Sequence, residues 1–459
     1  MTEHLHDGAK CKWCALDYEF EMPAAVVEAC RRGDLVLFAG AGVSTEVPAV
    51  FPSSFYNDMK TRSESTADSF PGVMSDFEAK FSRTELVKEL KARFDMADSF
   101  PSLRRAARQF HEAVSTIPYI QDIITTNWDT YFEEECLATP FVVGEDMAFA
   151  GIYSRRVFKI HGSIANVSTL VVTESDYAES LSRLSQNALG ARVRDLLAGK
   201  VVVFVGYSMT DWNFQRLYAT LRADMGKFAP AAYVVSPDDG RTAERNGLTH
   251  LRTSGVKFIR ELKYALEDDC LIPDERYDEL GAIESRALRA DEIAKEIPHR
   301  QYPSVLYCWM YLEGVTDACF RIQFRRGSGE YSDAHRVQML ARRYLLAADQ
   351  AEGRGRFQDA AYMQGYANIL LTLILDEASD ADAFPYFFVY GSDDDLTHPD
   401  EFHTAIEQSR RRAPRQRAHA RRMLADLPSD MILTHDRTLP DLHDLGPVSP
   451  NGRNVALHS

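Results

Sequence analysis

The chain has 459 residues, 45% of them hydrophobic and 26% charged, with a formal net charge of −16. That length exceeds one typical domain and suits two, each with its own core. The acidic balance excludes a surface that attracts nucleic acid or anionic membrane everywhere, though not a local basic patch.

No apolar run reaches the roughly 18 residues of a membrane span, and the first residues show no basic-then-apolar leader pattern. The seven cysteines are odd in number and irregular in spacing. A cytoplasmic chain without disulfides is therefore expected. Residues 1–22 read as an extension. They hold Cys11-Lys12-Trp13-Cys14, with His4 and His6 before it; this resembles half a zinc site, but no second cysteine pair lies close by, and a plain extension is the expected reading.

Residues 23–32 form an amphipathic pattern stopped by Arg31-Arg32-Gly33-Asp34. The apolar run 35–39 then enters the turn Gly40-Ala41-Gly42-Val43-Ser44. A Pro/Ser-rich loop at 47–54 and a polar stretch at 60–69 follow, and apolar spacings of three and four over 77–94 and 102–114 predict helices. Ile123-Ile124-Thr125 enters Thr126-Asn127-Trp128-Asp129, and residues 157–160 enter His161-Gly162. Residues 170–173 lead into one helix over 174–197. The run 201–205 enters Gly206-Tyr207-Ser208-Met209-Thr210-Asp211, and 232–235 and 256–259 read as two further strands, at least six in all. Each apolar, β-branched run followed at once by small or polar residues predicts a buried parallel strand whose carboxyl end opens into a loop. Strands alternating with helices predict an α/β fold with a Rossmann-like, doubly wound parallel sheet, and nucleotides bind at that edge of such a sheet.

Past about residue 268 the strand pattern stops. Residues 270–300 are polar and charged, and 304–315, 337–348 and 357–375 predict helices, so 269–426 reads as a mainly helical regulatory or assembly domain. The aromatic run 384–390 ends in Asp393-Asp394-Asp395, and 427–459, with several prolines and little periodicity, reads as a loose tail. Arg410, Arg411, Arg412, Arg415, Arg417, Arg421 and Arg422 crowd one segment of an otherwise acidic chain. The expected reading is a solvated helix paired with Asp380, Asp382, Asp393–Asp395, Asp400 and Glu401; the alternative is contact with phosphate or an acidic partner surface.

The glycine turn by itself does not fit a dehydrogenase. A third glycine at position 45 is replaced by Thr45, and no acidic residue closes a second strand about twenty residues on. Taken together and in this order, the four strand-end motifs resemble the sirtuin family of NAD-consuming enzymes over roughly residues 30–260. Two features depart from its deacylases. No cysteine falls between His161 and Gly206, where a zinc ribbon would need thiolates, and residues 45–55 lack the Asp-Phe-Arg segment and any evident substitute arginine. Both departures resemble the sirtuin-like NAD hydrolases of prokaryotic antiphage defence.

The resemblance implies a sirtuin-like domain at 23–268 with a helical insertion at about 52–115 covering the cofactor cleft. It implies NAD as substrate, with no metal in that domain. Gly40 and Gly42 would admit the pyrophosphate, with amides from Ala41 and Val43 at a helix start and a hydroxyl from Ser44. Gly206 and Ser208 would serve the adenosine half, Ser236 the adenine ribose, and Asp211 would cap the helix at Trp212. Asn127, which cannot exchange protons, would orient ribose hydroxyls and place a water. Asp129 is either a helix cap or a cofactor contact. His161 would take a proton from a ribose hydroxyl or polarise water. The implied function is an NAD glycohydrolase yielding nicotinamide and ADP-ribose, an NAD-depleting effector of antiviral abortive infection. Homo-oligomers, or an ATPase of the DNA-translocase type or another sensor, are the implied partners, with nucleic acid engaged only indirectly and no membrane. The competing readings are a protein deacylase or ADP-ribosyltransferase and a non-catalytic NAD or ADP-ribose sensor, which would need neither Asn127 nor His161.

Overall fold

The computed structural model describes residues 16–47, 49–152, 155–207, 212–267, 271–375, 381–428, 431–435 and 442–443. These fall into two compact units, one up to residue 267 with Gly327–Gly329 and one from 271 onward without that triplet. No helix among them is long and apolar enough to cross a membrane.

The first unit is built on seven strands: β1 (Leu35–Ala39), β2 (Asp122–Thr125), β3 (Thr139–Phe141), β4 (Arg156–Lys159), β5 (Val201–Val205), β6 (Ala232–Ser236) and β7 (Thr249–Arg252). All pair in parallel in the order β3-β4-β2-β1-β5-β6-β7. β1 is fully buried, as expected of a strand with helices on both faces. One face carries Val36, Phe38, Ile124 and Phe204 against Val193 and Leu197 of helix Ala188–Gly199 and Phe214 of helix Trp212–Met225. Phe38 and Phe214 meet at 4.6 Å.

The chain moves from β1 to β2 on one side and returns to β5 on the other, so the switch in strand order falls at β1. Register aligns Ala39 with Thr125 and Val205, and Thr125 with Lys159. Four loops therefore leave the sheet at one level, which is where a doubly wound sheet forms its crevice.

Several expected elements differ. The run 256–259 is not a strand but part of helix Gly255–Glu267, with Phe258, Ile259, Leu262 and Leu266 buried at helical spacing; the neighbouring strand is the more polar β7. β3 escaped notice because it is three residues long and contains Pro140, tolerated because β3 is an edge strand. The single helix expected at 174–197 is two, Glu174–Gln186 and Ala188–Gly199, divided where the Asn187 side chain accepts from the Gly190 amide and caps the second. Helical patterning at 77–94 likewise resolves into Phe70–Lys80 and Arg83–Ser99, the latter capped by Ser82.

The second unit is helical: Glu275–Glu296, Val305–Arg325, Ala334–Gly353, Phe357–Thr372, Pro399–Arg412 and Pro414–Met423. The first of these fills the stretch left without an element at 270–300. Helices Val305–Arg325 and Phe357–Thr372 meet backbone to backbone, since a Cβ on Gly314 would strike the Tyr362 carbonyl and one on Gly365 the Tyr311 carbonyl.

The tail is not loose where it is described. Ile432, Leu433 and Leu442 pack on the helical core. His435 stacks on Tyr362 at 4.2 Å and lies 3.0 Å from Asp359, and His443 lies 2.9 Å from the Tyr344 hydroxyl. Nor does the arginine segment pair with its flanking carboxylates: among the described residues, none of its seven arginines forms an ion pair. Asp382 instead takes Arg286. His4, His6, Cys11, Cys14, Ser208, Asp211 and Asp380 lie outside the described residues.

Candidate active site

A cavity of about 530 Å³ opens at the carboxyl edge of the sheet, within the roughly 300–1,000 Å³ of small-molecule sites. Its floor comes from the loops after β1, β2, β4, β5 and β6. Its cover comes from the helical insertion through Phe55, Tyr56, Phe70, Leu90, Arg93 and Phe94. Of the residues singled out in the sequence, Ala41, Gly42, Ser44, Asn127, Asp129, His161, Gly206 and Ser236 all reach this one cavity. Gly40 and Val43 do not line it.

The glycine turn and the Gly206 loop are locked to each other. Gly40 N donates to Val205 O at 3.0 Å and Gly42 N to Gly206 O at 2.9 Å. A Cβ on Gly40 or Gly42 would lie 2.6 or 2.8 Å from Gly206 O, and one on Gly206, whose φ is +62°, would meet Val43 at 2.7 Å. These glycines thus serve the approach of two loops, beyond any approach of a ligand. The turn continues as one three-residue 3-10 turn, Ala41–Val43, and the next helix begins only at Phe55. The expected amide donors at a helix start are corrected accordingly: the Val43 amide bonds Gly40 O, and no helix dipole stands behind it.

Ser44 differs from expectation, while Asp129 makes the helix contact that is one of its two expected readings. Ser44 Oγ donates to Asp129 Oδ2 at 2.7 Å, so its proton is spent inside the protein. Asp129 Oδ1 accepts from Tyr131 N at 3.2 Å at the start of the short helix Tyr131–Glu135. Asp129 therefore caps a helix and, with its other oxygen, ties the β2 loop to the glycine turn. Buried Lys159 holds the same loop from below, donating to Asp129 O and reaching Glu133 at 2.9 Å.

Asn127 is set by its backbone. Its amide donates to Thr125 Oγ1 at 3.0 Å, and that hydroxyl donates to Ala39 O. Its side chain is 5% exposed, yet neither Oδ1 nor Nδ2 has a hydrogen-bond partner among the described residues. Leaving such groups unpaired costs about 1–3 kcal/mol each, so an amide wall of this kind is built for something that enters the cavity.

His161 is 6% exposed, its ring 4.8 Å from that of Tyr177. Burial first, and then Arg183, lowers its pKa to about 4, so the imidazole is neutral near pH 7. Gly162 behind it has φ +82° and no room for a Cβ beside the Thr169 carbonyl, which fixes the hairpin that aims His161. Ser236 Oγ lies 3.0 Å from His250 Nε2, so its hydroxyl is shared with that ring.

Arg93, on helix Arg83–Ser99, is the residue the sequence gave no reason to choose. Its guanidinium pairs with Glu46 at 2.9 Å and Asp58 at 3.2 Å and stacks 4.1 Å over Phe51. The expectation that nothing replaces the missing arginine of the 45–55 segment is corrected to this extent: an arginine stands at the cavity wall, supplied by the insertion. Burial raises the Glu46 carboxyl against the pull of Arg93. Trp128, within the quoted Asn-Trp-Asp run, and Tyr207 also line the cavity. Among the described residues no group of three His, Cys, Asp or Glu could hold a metal ion.

The SIR2-like domain family matches residues 121–259. The chain is also similar to the NAD(+) hydrolase ThsA of Enterococcus faecium, 27% identical over 207 residues, which is 42% of this chain and 41% of that protein. The chain thus spans about two fifths of the length of this curated relative.

Proposed function

We propose that the sirtuin-like domain of this chain is an NAD glycohydrolase, cleaving the nicotinamide–ribose bond with water as acceptor. The observation that carries this reading is Asn127, a buried amide with neither polar end partnered among the described residues, lining the same cavity as a neutral imidazole. A binding module has no need of that pair, and the similarity to an NAD(+) hydrolase supports the same substrate.

The bond breaks with its electron pair leaving on nicotinamide, which becomes neutral as the ribose carbon takes on positive charge. Water adds its oxygen to that carbon and loses one proton, so NAD+ and water give nicotinamide, ADP-ribose and H+. Asn127 orients the ribose hydroxyls and the water. His161, neutral at this pH, accepts the proton from a ribose hydroxyl or from the water and returns it to solvent. Gly42, Ala41 and Gly206 accept the pyrophosphate side of the cleft, with Ser236 toward the adenosine half; the resemblance assigns Ser208 a role in that half as well.

The absence of cysteine between His161 and Gly206 disfavours the deacylase plan. Deployment as an NAD-depleting antiphage effector, gated or assembled through the helical unit as a homo-oligomer or with an ATPase-type sensor, is part of this proposal and rests on the resemblance alone.

Incubation of the purified chain with NAD, followed by chromatography, should yield nicotinamide and ADP-ribose with no acceptor present. Cleavage only with an acylated peptide would replace this reading by the deacylase. Tight NAD binding without cleavage, across candidate activators, would replace it by the sensor.

A further inference from the structure

The arginine segment is the densest run of positive charge in the second unit. Arg410, Arg411 and Arg412 end helix Pro399–Arg412, and Arg415, Arg417, Arg421 and Arg422 lie on Pro414–Met423. No Asp or Glu occurs from residue 408 to 425. Six of the seven are exposed and Arg417 is half-buried.

Carboxylates are close at hand, and the arginines do not take them. Arg412 shares the wall of a 440 Å³ cleft with Asp394, Asp395, Asp400 and Glu401, yet its contact is Nη1 to Gly391 O at 3.4 Å. Arg410 lies over the Tyr302 ring at 5.2 Å. Arg417 Nε is buried without an acceptor among the described residues, and beyond burial its positive neighbours Arg421 and Arg410 lower its pKa. Elsewhere in the same unit, Arg286 pairs with Asp382, Arg326 with Asp274 and Arg356 with Asp359. Like charges held together without counter-charges repel, and a bound anion from outside the segment relieves that repulsion.

We propose that helices Pro399–Arg412 and Pro414–Met423 form a binding surface for the phosphate backbone of a single-stranded nucleic acid. Phosphate fits better than carboxylate for two reasons. Arg412 shares its cleft with four carboxylates of the chain itself and pairs with none of them. A phosphate chain offers pairs of oxygens, repeated along its length, to planar guanidinium forks. The acidic remainder of the chain confines such a ligand to this surface, so the contact is short and strongly dependent on salt.

The test is fluorescence anisotropy of the full chain with a labelled single-stranded oligonucleotide about 12 nucleotides long, competed by polyphosphate and by polyglutamate. The variants are the triple Arg410→Gln/Arg417→Gln/Arg421→Gln and its lysine counterpart. Wild type should bind at low salt. The glutamine triple should bind at least about tenfold more weakly, with the salt slope reduced by about two, and the lysine triple should keep the slope. Weaker competition by polyphosphate than by the unlabelled oligonucleotide at matched phosphate supports the proposal; equal or stronger competition overturns nucleic acid as the occupant. No binding by wild type, or unchanged binding by a folded glutamine triple, overturns the proposal. So does polyglutamate competing better than either phosphate, which would mark an acidic protein partner. Should the triple misfold, the exposed pair Arg415→Gln and Arg422→Gln, each scored singly, carries the same comparison.

Discussion

A histidine serves as a base in its neutral form, and at His161 burial, then Arg183, extends that form to lower pH by bringing the pKa to about 4. NAD cleavage should therefore hold from neutral pH down to about 5 and fall toward 4. An inflection near 6.5 in the pH profile of kcat/KM would mean that the ring is solvated in the working enzyme. His161→Ala and Asn127→Ala should each raise the barrier by about 3 to 5 kcal/mol while leaving circular dichroism unchanged; wild-type rates in either folded variant would refute the site. Acid stability follows from the same shift. His111, fully buried, also falls to about 4 from an ordinary 6.5, burial outweighing the pull of Asp129. As pH falls through 6.5 the unfolded chain binds protons that the folded one refuses. The stability these rings support is therefore complete above about 6.5 and is lost by about 4, at about 3 kcal/mol each. Urea midpoints followed against pH should show this slope, and His111→Phe should flatten it.

At the level of elements, the cleft depends on loops that brace one another. The glycine turn leans on Gly206, Ser44 on Asp129, and the Asp129 loop on Lys159. Gly206→Ala should damage the site from outside its chemistry, because the added methyl meets Val43 in a backbone conformation that disfavours any side chain. Its measurable sign is a weakened affinity for ADP-ribose by calorimetry, together with lost stability of about 1–3 kcal/mol. In the helical unit the corresponding junction sets Gly314 against the Tyr362 carbonyl and Gly365 against the Tyr311 carbonyl. Gly365→Ala should lower the urea midpoint by a similar amount without touching NAD cleavage, and an unchanged midpoint would show that the two helices can part freely.

At the scale of the whole molecule, every described residue lining the cleft falls between Ala41 and Asp238, inside the first unit. A fragment of residues 1–268 should therefore still bind ADP-ribose. It should melt lower than the parent unit, because Gly327 belongs to that unit and its carbonyl accepts from Arg155 Nη1 at 2.8 Å. Calorimetry on the fragment checks both points, and a soluble, folded fragment that fails to bind would show that the cleft needs the remainder of the chain.

The sequence by itself determined the parallel sheet, because runs such as 35–39 and 201–205 are apolar on both faces and only a strand covered on both sides buries them. It also determined which loops meet, since the carboxyl ends of parallel strands share one edge. It could not separate strand from helix at 256–259, where Val256, Phe258 and Ile259 fit either period and only the later Leu262 and Leu266 bury a helical stripe. Nor could it pair side chains distant in the chain. That Ser44 spends its proton on Asp129, that Arg93 reaches the cleft, that the Asn127 amide has no partner among the described residues, and that Arg412 pairs with none of the carboxylates in its cleft are facts of distance. Composition states which charges and donors exist, and only the packed chain decides which of them are already satisfied.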